Sequence, residues 1–400
     1  MSTRSSMRRE VSTEELEAPL LSYGDAVAWI AQHFIPLPAR AMPLAACLGT
    51  VLMEDVVAVD DIPNFDNSGM DGYAVRSSDC AGPATLLEVG EVIAPGSAVK
   101  VMTGQPIPDG ADAVVPWEAT ISRDDGRIEV TAPIDAGQFV RLRGSDIAEG
   151  TPVLGAGTTV GPVEIGIAAA LGRTELLVVA KPRVGVLSTG DELVGVTEEL
   201  GRGRVRDSNG PMLVAAATQL GAEVTGVAVA PDDPAAISAA LHRLAEDADL
   251  VVSSGGASVG ERDWLRSILA SEGELALWRV AMRPGKPVAI GRIAGAVVVV
   301  LPGNPGAVAA CSHVVLGRAL RAMAGGLIEP STVTGVLEED LDGDAERTVI
   351  HPVRIDGGAV RPAASKSSQS LSNAVGMDGW LIVPPGGLKA GVVVEVEALP

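Results

Sequence analysis

Between Arg183 and about Gly326 the chain repeats one unit, and this rhythm limits the fold more than any other feature. RVGVLSTG (183–190) is an apolar run ending in a glycine loop, and PMLVAAATQLG (211–221) is a helix that Gly221 stops. EVTGVAVA (223–230) is a second strand. DDPAAISAALHRLAED (232–247) follows as a helix, with Pro234 at its first position, where a missing N–H costs nothing. DLVVSSGG (249–256) is a third strand and RDWLRSILASEG (262–273) a third helix; AGAVVVVLPGNPG (294–306) and the apolar helix 307–323 close the unit. Strands that are apolar on both faces, alternating with helices, predict a doubly wound, mostly parallel sheet covered on both sides. Aromatic residues make up only 2% of the chain, so its cores must be built from Val, Leu, Ile and Ala.

The flanking segments have other textures. From Tyr23 to about Cys47 the spacing of Val27, Ile30, Ala31 and Phe34 is helical until Pro36 and Pro38 interrupt it. From Val51 to about Arg143 short β-type runs (LLEVGEVI, AVKVMTG, DAVVPW, RIEVTAPI) are separated by Gly and Pro turns, as in a small all-β module. VEIGIAAALG (163–172) returns to helical spacing, so the β module reads as an insertion within a small helical domain. After Gly325-Gly326 alternation resumes (VTGVLEEDL, TVIHPVRI, WLIVPPGG, VVVEVEAL) and predicts a compact, barrel-like C-terminal β domain. The expected organisation is a disordered tail over 1–18, a discontinuous helical domain over 19–50 and 147–180, an inserted β module over 51–146, an α/β domain over 181–326 and a β domain over 327–400. Four hundred residues exceed what one core usually organises.

The formal net charge of −21 excludes nucleic-acid binding through the general field, since phosphate neutralisation needs clustered Lys and Arg. Cys47, Cys80 and Cys311 lie far apart with no CxxC pair, and His33, His242, His313 and His351 are scattered. Neither a disulfide framework nor a zinc centre is expected. The N-terminal stretch holds Arg4, Arg8 and Arg9 without an apolar core, and no run approaches the roughly 20 apolar residues of a membrane span. A cytoplasmic protein is expected.

Three glycine-rich loops follow strands of the α/β unit: STGDEL (188–193), SSGGASVGERD (253–263) and LPGNPG (301–306). In a doubly wound sheet such loops and the following helix starts form the ligand crevice, and free N–H groups there favour an anion. The loops carry Ser188, Thr189, Gly190, Asp191, Ser254, Gly255, Gly256, Ser258, Pro302, Gly303, Asn304 and Pro305 as candidate substrate contacts. They also carry carboxylates: Glu192 after the first strand, Asp232 and Asp233 after the second, and Asp263 after the third. Taken singly, each has an ordinary explanation, because Asp233 and Asp263 could cap the helices that follow them. Together Glu192, Asp232 and Asp263 suit Mg²⁺ bound with substrate phosphates. The β module adds IPNFDNSGMDGYAVR (62–76), with Asp66, Asn67, Ser68 and Asp71 on a turn. RLRGSDIAEG (141–150) adds Arg141, Arg143 and Asp146, and WRVAMRPGKP (278–287) supplies Arg279, Arg283 and Lys286. Arg forks hold oxyanions bidentately. For Arg279 two readings stand open, an oxyanion contact or a solvent-facing strand residue.

The ordered set MDGYA, MTG (102–104), RGSDI, STGDEL, SGGASVG, RPGKP and LPGNP resembles the MoeA family, the bacterial counterpart of the E domain of gephyrin. The specific motifs cover residues 20–326, and the C-terminal domain matches less specifically. The resemblance implies an elongated homodimer of four-domain subunits. It implies a molybdenum insertase that takes adenylylated molybdopterin and molybdate, with Mg²⁺, and yields molybdenum cofactor and AMP. It also implies an active site formed by the α/β domain of one subunit and the β module of the other. By motif, Asp71, Asp146, Glu192, Asp232 and Asp263 match the family's acidic functional positions. Thr103 sits in the MTG loop, and Pro302 and Pro305 in the loop that shapes the crevice floor. The family commonly has lysines where this chain has Arg279 and Arg283. SKSSQSLS (365–372), with Ser367 and Ser368, is loosely similar to the family's hydroxyl-rich anion loop.

Implied transient partners are a molybdopterin adenylyltransferase and apo-molybdoenzymes. Two other readings compete: a molybdopterin adenylyltransferase, which resembles the α/β unit alone, and a non-catalytic scaffold on the same fold. Retention of all five carboxylates argues against the scaffold, which has no chemical need of them.

Overall fold

The computed structural model describes residues 20–82, 84–256, 264–363 and 370–399. The chain divides into two compact units. One comprises residues 42–48 and 52–176, and the other holds the remaining described chain.

The smaller unit is built on strands β1 (Gly72–Val75), β2 (Thr85–Gly90), β3 (Ser97–Val101), β4 (Ala113–Pro116), β5 (Thr120–Ser122) and β6 (Arg127–Val130). They form one sheet in the order β4-β1-β3-β2-β6-β5. Strand alternation divides neighbouring residues between the faces. Val75, Ala98, Val115, Ile128 and Val130 pack in one apolar cluster, and Ala74, Val101 and Val114 in another. Gly72 is required by the close pairing of β1 and β4, since a Cβ there would lie 2.0 Å from the carbonyl oxygen of Val115. The unit ends in a helix over Pro162–Ala170, opened by Pro162 and by the Glu164 side chain, which accepts from the Gly161 N–H at 2.9 Å.

The larger unit holds the α/β sheet that the repeat predicts. Its strands are β7 (Arg183–Thr189), β8 (Glu223–Ala230), β9 (Leu250–Ser254), β10 (Glu274–Trp278), β12 (Ala289–Ile293) and β13 (Ala296–Leu301), in the order β8-β7-β9-β13-β12-β10. The first four are mutually parallel, and β12 and β10 extend the sheet antiparallel. Both faces are covered. Val184, Val186, Leu250, Val252, Val297 and Val299 join the core on one side, and Leu187, Val251, Val298 and Val300 the core on the other. Helix α1 (Asn209–Gln219) packs into the first core, while α2 (Pro234–Ala245) and α3 (Trp264–Glu272) pack into the second. Asp233 caps α2, its carboxylate accepting from the Ala235 and Ala236 N–H groups. Residues 305–323 are helical throughout, with a π segment at Ser312–Gly317.

One strand departs from this sheet. β11 (Val280–Arg283) pairs in parallel with Leu21–Ser22 on one side and with β15 (Thr348–Asp356) on the other. The WRVAMRPGKP segment is therefore shared between two sheets. The turn is made at Arg279, whose φ of +63° breaks the alternation. The C-terminal strands β14 (Thr332–Leu337), β15, β16 (Ala359–Pro362), β17 (Gly379–Val383) and β18 (Val393–Ala398) form a closed five-stranded barrel. The order β15-β16-β14-β18-β17 closes through β17 and β15. Among the described residues, no helix is long and apolar enough to cross a membrane.

Inside this unit a buried charge network joins the helix over 305–323 to the barrel. Arg318, 2% exposed, donates to Glu397 of β18 at 2.6 Å and to Glu329 at 2.8 Å, and His313 Nε2 lies 3.1 Å from Glu397. Burial pushes the Glu397 carboxyl up, but the hydrogen bonds from His313 and Arg318 outweigh it and leave the group below its ordinary value.

Candidate functional site

The carboxyl ends of β7, β9 and β13 bring three of the glycine loops together. Gly255 has φ +90°, and a Cβ on it would lie 2.5 Å from the Thr189 carbonyl oxygen and 2.7 Å from Thr189 Oγ1. Gly303 approaches the same place, its Cβ position 3.6 Å from Gly255 Cα. At Gly255 only a residue without a side chain lets the backbones close up. The Gly255 N–H donates to the Leu301 carbonyl at 3.3 Å and the Gly190 N–H to the Ala230 carbonyl at 3.2 Å, which joins the loop starts to neighbouring strands.

The polar atoms of this end are unusual. Ser188, Thr189, Ser253 and Ser254 are 0–6% exposed, and Asn209 at the start of α1 is 9% exposed. Ser188 Oγ, Thr189 Oγ1, Ser253 Oγ and Asn209 Oδ1 find no hydrogen-bond partner among the described residues. Buried polar groups are paired in the great majority of cases, and leaving one unpaired costs about 1–3 kcal/mol. Ser188 Oγ, close to Gly210, and Asn209 Oδ1 lie on the α1 side of this end and Thr189 Oγ1 beside Gly255, and together they have the character of a site built for a polar ligand; Ser253, level with Leu187 and Val300, faces the second core.

The carboxylates of the same unit sit around this end. Asp191 Oδ1 accepts from the Asp232 N–H at 3.1 Å, so the loops after β7 and β8 touch. The Glu192 carboxylate lies over Gly190, its Oε2 2.7 Å from the Cβ position of that glycine. Among the described residues no three His, Cys, Asp or Glu side chains form a ready metal cluster. Asp263 and Ser258, and Ser367 and Ser368 of the C-terminal segment, lie outside the described residues. Pro302 is buried, Pro305 half-buried and Asn304 exposed; Asn304 starts the helix over 305–323 without a side-chain cap.

Arg279 and Arg283 part company. Arg279 is 8% exposed, with its guanidinium 5.3 Å from the Trp278 ring centroid, and Arg266 lies over the same ring at 4.8 Å. The alternative of a solvent-facing strand residue is thereby overturned, because the left-handed backbone at Arg279 turns the side chain inward. Arg283 is exposed at the end of β11, and Lys286 is half-buried.

In the smaller unit, Asp71 Oδ1 accepts from the Thr103 N–H at 2.7 Å and from Thr103 Oγ1 at 2.8 Å. These bonds hold its carboxyl below the ordinary value. The turn around Asn67 and Gly69 runs along Arg141, since Val140–Arg141 pairs with Asn67–Ser68. Arg143 is engaged elsewhere, its Nε donating to Asp61 at 2.5 Å while its N–H donates to Asp66 at 2.7 Å. Asp146 is exposed and joins Ile62 through its backbone N–H.

The comparisons with known proteins cover nearly the whole chain. Residues 21–172 match the MoeA N-terminal region (domain I and II), residues 185–322 a probable molybdopterin binding domain, and residues 334–399 the MoeA C-terminal region (domain IV). A molybdopterin molybdenumtransferase of Synechococcus elongatus is 34% identical over 95% of this chain and 100% of its own length. Molybdopterin molybdenumtransferase 2 of Mycobacterium tuberculosis is 41% identical over 72% of this chain and 76% of its own length. The crystal structure of a molybdopterin biosynthesis MoeA protein from Pyrococcus horikoshii OT3 superposes with a TM-score of 0.78 at 27% identity, covering 95% of this chain and 100% of that one. The chain belongs to the MoeA family.

Proposed function

We propose that this protein is a molybdopterin molybdenumtransferase, which transfers molybdate onto the dithiolene of adenylylated molybdopterin and releases AMP. The observation that carries the reading is the set of buried, unpartnered oxygens at the end of β7 and the start of α1, in the segment that matches a molybdopterin binding domain. Hydroxyls of Ser188 and Thr189 donate to the oxyanions of the substrate. Backbone N–H groups of Asp191, Gly256 and Gly303 approach it, while the N–H groups of Gly190 and Gly255 are spent on Ala230 and Leu301 and hold the loop starts in place. Ser254, Ser258, Pro302, Asn304 and Pro305 shape the same crevice, and Ser367 and Ser368 supply further hydroxyls.

Glu192, Asp232 and Asp263 are the carboxylates that would hold Mg²⁺ accompanying the phosphates. Bound there, it would supply the positive charge that offsets the repulsion between these carboxylates and the phosphates. The described carboxylates do not close a cage. Arg283 and Lys286 offer counter-charge to molybdate or to the pterin phosphate. Arg279, held against Trp278, contributes from a fixed position, and Arg141 from the exposed turn beside Gly69. Asp71, held below its ordinary value by its bonds from Thr103, faces the substrate as a carboxylate hydrogen-bond acceptor, and Thr103 orients it. Asp146 completes the acidic set. Arg143, anchored to Asp61 through its Nε, offers the rest of its exposed guanidinium to the substrate's oxyanions.

The protein works in the cytoplasm as a homodimer, with both subunits contributing to each active site. An adenylyltransferase supplies its substrate, and apo-molybdoenzymes receive the product. An adenylyltransferase function for this chain would leave residues 21–172 and 334–399 without a role, and the family matches over both segments weigh against it. The test is complementation of a host lacking its own insertase, read as nitrate reductase activity. Restored activity supports the assignment, and failure of a stably expressed protein at any molybdate supply removes it.

A further inference from the structure

Asn209 belongs to no motif that the sequence singles out, yet its buried side chain lies between the end of β9 and the loop after β13. Its Nδ2 donates to Gly303 O at 2.7 Å and to Ser254 Oγ at 2.7 Å. Gly303 O can only accept, so this contact fixes which end of the amide is nitrogen. The same side chain thus ties the end of β9 to the loop after β13. Its backbone lies close by as well: Gly210, the next residue, brings its Cβ position within 3.0 Å of Ser188 Oγ, and its N–H is held by Asp207 Oδ1 at 2.9 Å.

The oxygen end is left over. Asn209 Oδ1 is buried and finds no partner among the described residues. An amide oxygen only accepts, so it cannot serve a phosphate or a molybdate, which at neutral pH offer oxygens without protons. The hydroxyls around it differ, because each can turn its proton toward an anion. The crevice therefore has two chemistries side by side: hydroxyl and backbone donors for oxyanions, and one fixed acceptor.

We propose that Asn209 Oδ1 accepts a hydrogen bond from an amino-pyrimidine N–H of the substrate and so reads the heterocycle rather than the phosphate. The two sources of that group are the pterin ring and the adenine ring of the adenylylated substrate. The inference rests on the crevice being the binding site of that substrate. Its two Nδ2 bonds pre-set the acceptor, so an ordering cost that a free side chain would bear is absent.

The test is a pair of titrations of the full-length protein, one with molybdopterin followed by pterin fluorescence and one with AMP followed by calorimetry. Asn209→Ala should weaken one of the two ligands at least ten-fold and leave the other within about three-fold, with the circular dichroism spectrum unchanged. Weakening of molybdopterin assigns the pterin, and weakening of AMP assigns the adenine. If Asn209→Ala does not fold, Asn209→Ser, which retains a polar residue at the helix start, is read in the same two titrations. Equal weakening of both ligands would show a merely structural role, and unchanged binding of both would remove the residue from recognition. If the wild-type protein binds neither ligand, the functional reading of the crevice fails as well.

Discussion

Replacing Gly255 by Ala tests whether the close approach of the loops after β7 and β9 is a designed feature of the crevice. At φ +90° an L side chain is strained by roughly 1–2 kcal/mol. The new Cβ would also lie 2.5 Å from the Thr189 carbonyl oxygen and 2.7 Å from its Oγ1. The nearer obstacle is backbone, so no rotamer change relieves it and one loop must move by several tenths of an ångström. Over-packing of this kind costs about 1–3 kcal/mol, which gives roughly 2–5 kcal/mol for the substitution. Gly221→Ala provides the control. Gly221 has φ +83° with nothing within 4 Å of its Cβ position, so it should show the backbone strain alone. The assay is urea unfolding followed by tryptophan fluorescence, since Trp29, Trp264, Trp278 and Trp380 all lie in the larger unit. Pterin titration on the folded variants should show a loss of at least ten-fold for Gly255→Ala and little for Gly221→Ala. A Gly255→Ala protein as stable as Gly221→Ala, with normal pterin binding, would refute the reasoning.

Other perturbations follow from named contacts. Arg318→Met should destabilise the larger unit by about 3–5 kcal/mol, because it leaves the buried Glu397 without its guanidinium; a loss under about 1 kcal/mol in denaturant unfolding would contradict this. Glu397 is depressed in the folded state, so its contribution is present above the unfolded value near 4.5 and is lost as pH falls through the folded one. The wild type should therefore lose stability more steeply than Arg318→Met in acid unfolding below about pH 4.5. Arg283→Ala should weaken molybdate or pterin binding by roughly 1.5–3 kcal/mol, and Arg283→Lys should recover most of it; normal titrations of Arg283→Ala would take the residue out of the site. Mixed dimers of Asp71→Asn and Glu192→Gln subunits should regain part of the activity that each homodimer lacks, and verified subunit exchange without recovery would contradict a shared site.

The parallel sheet was legible because its strands are apolar on both faces, so their sequence needs no partner to be understood. The barrel was legible as alternation, although nothing local announces that β15 pairs with both β16 and β17. Arg279 was not legible. Alternation from Trp278 to Val280 assumes one continuous strand, whereas a left-handed residue ends one strand there and begins another in a different sheet. Arg143 looked like an oxyanion holder, and its contact with Asp61 depends on a pairing 82 residues apart that no local pattern encodes. Asn209 was missed because an Asn at a helix start has an ordinary explanation as a cap. Only burial and the contact with Gly303 distinguish it. Asp233 shows the reverse case, a carboxylate that the sequence suspected of capping and that caps.

The most direct test of the account is AMP release from adenylylated molybdopterin, measured against molybdate concentration in the presence of Mg²⁺. Release should depend on molybdate, saturate with it, and match the appearance of active cofactor mole for mole. AMP release indifferent to molybdate, or consumption of ATP to make the adenylylated pterin, would contradict it.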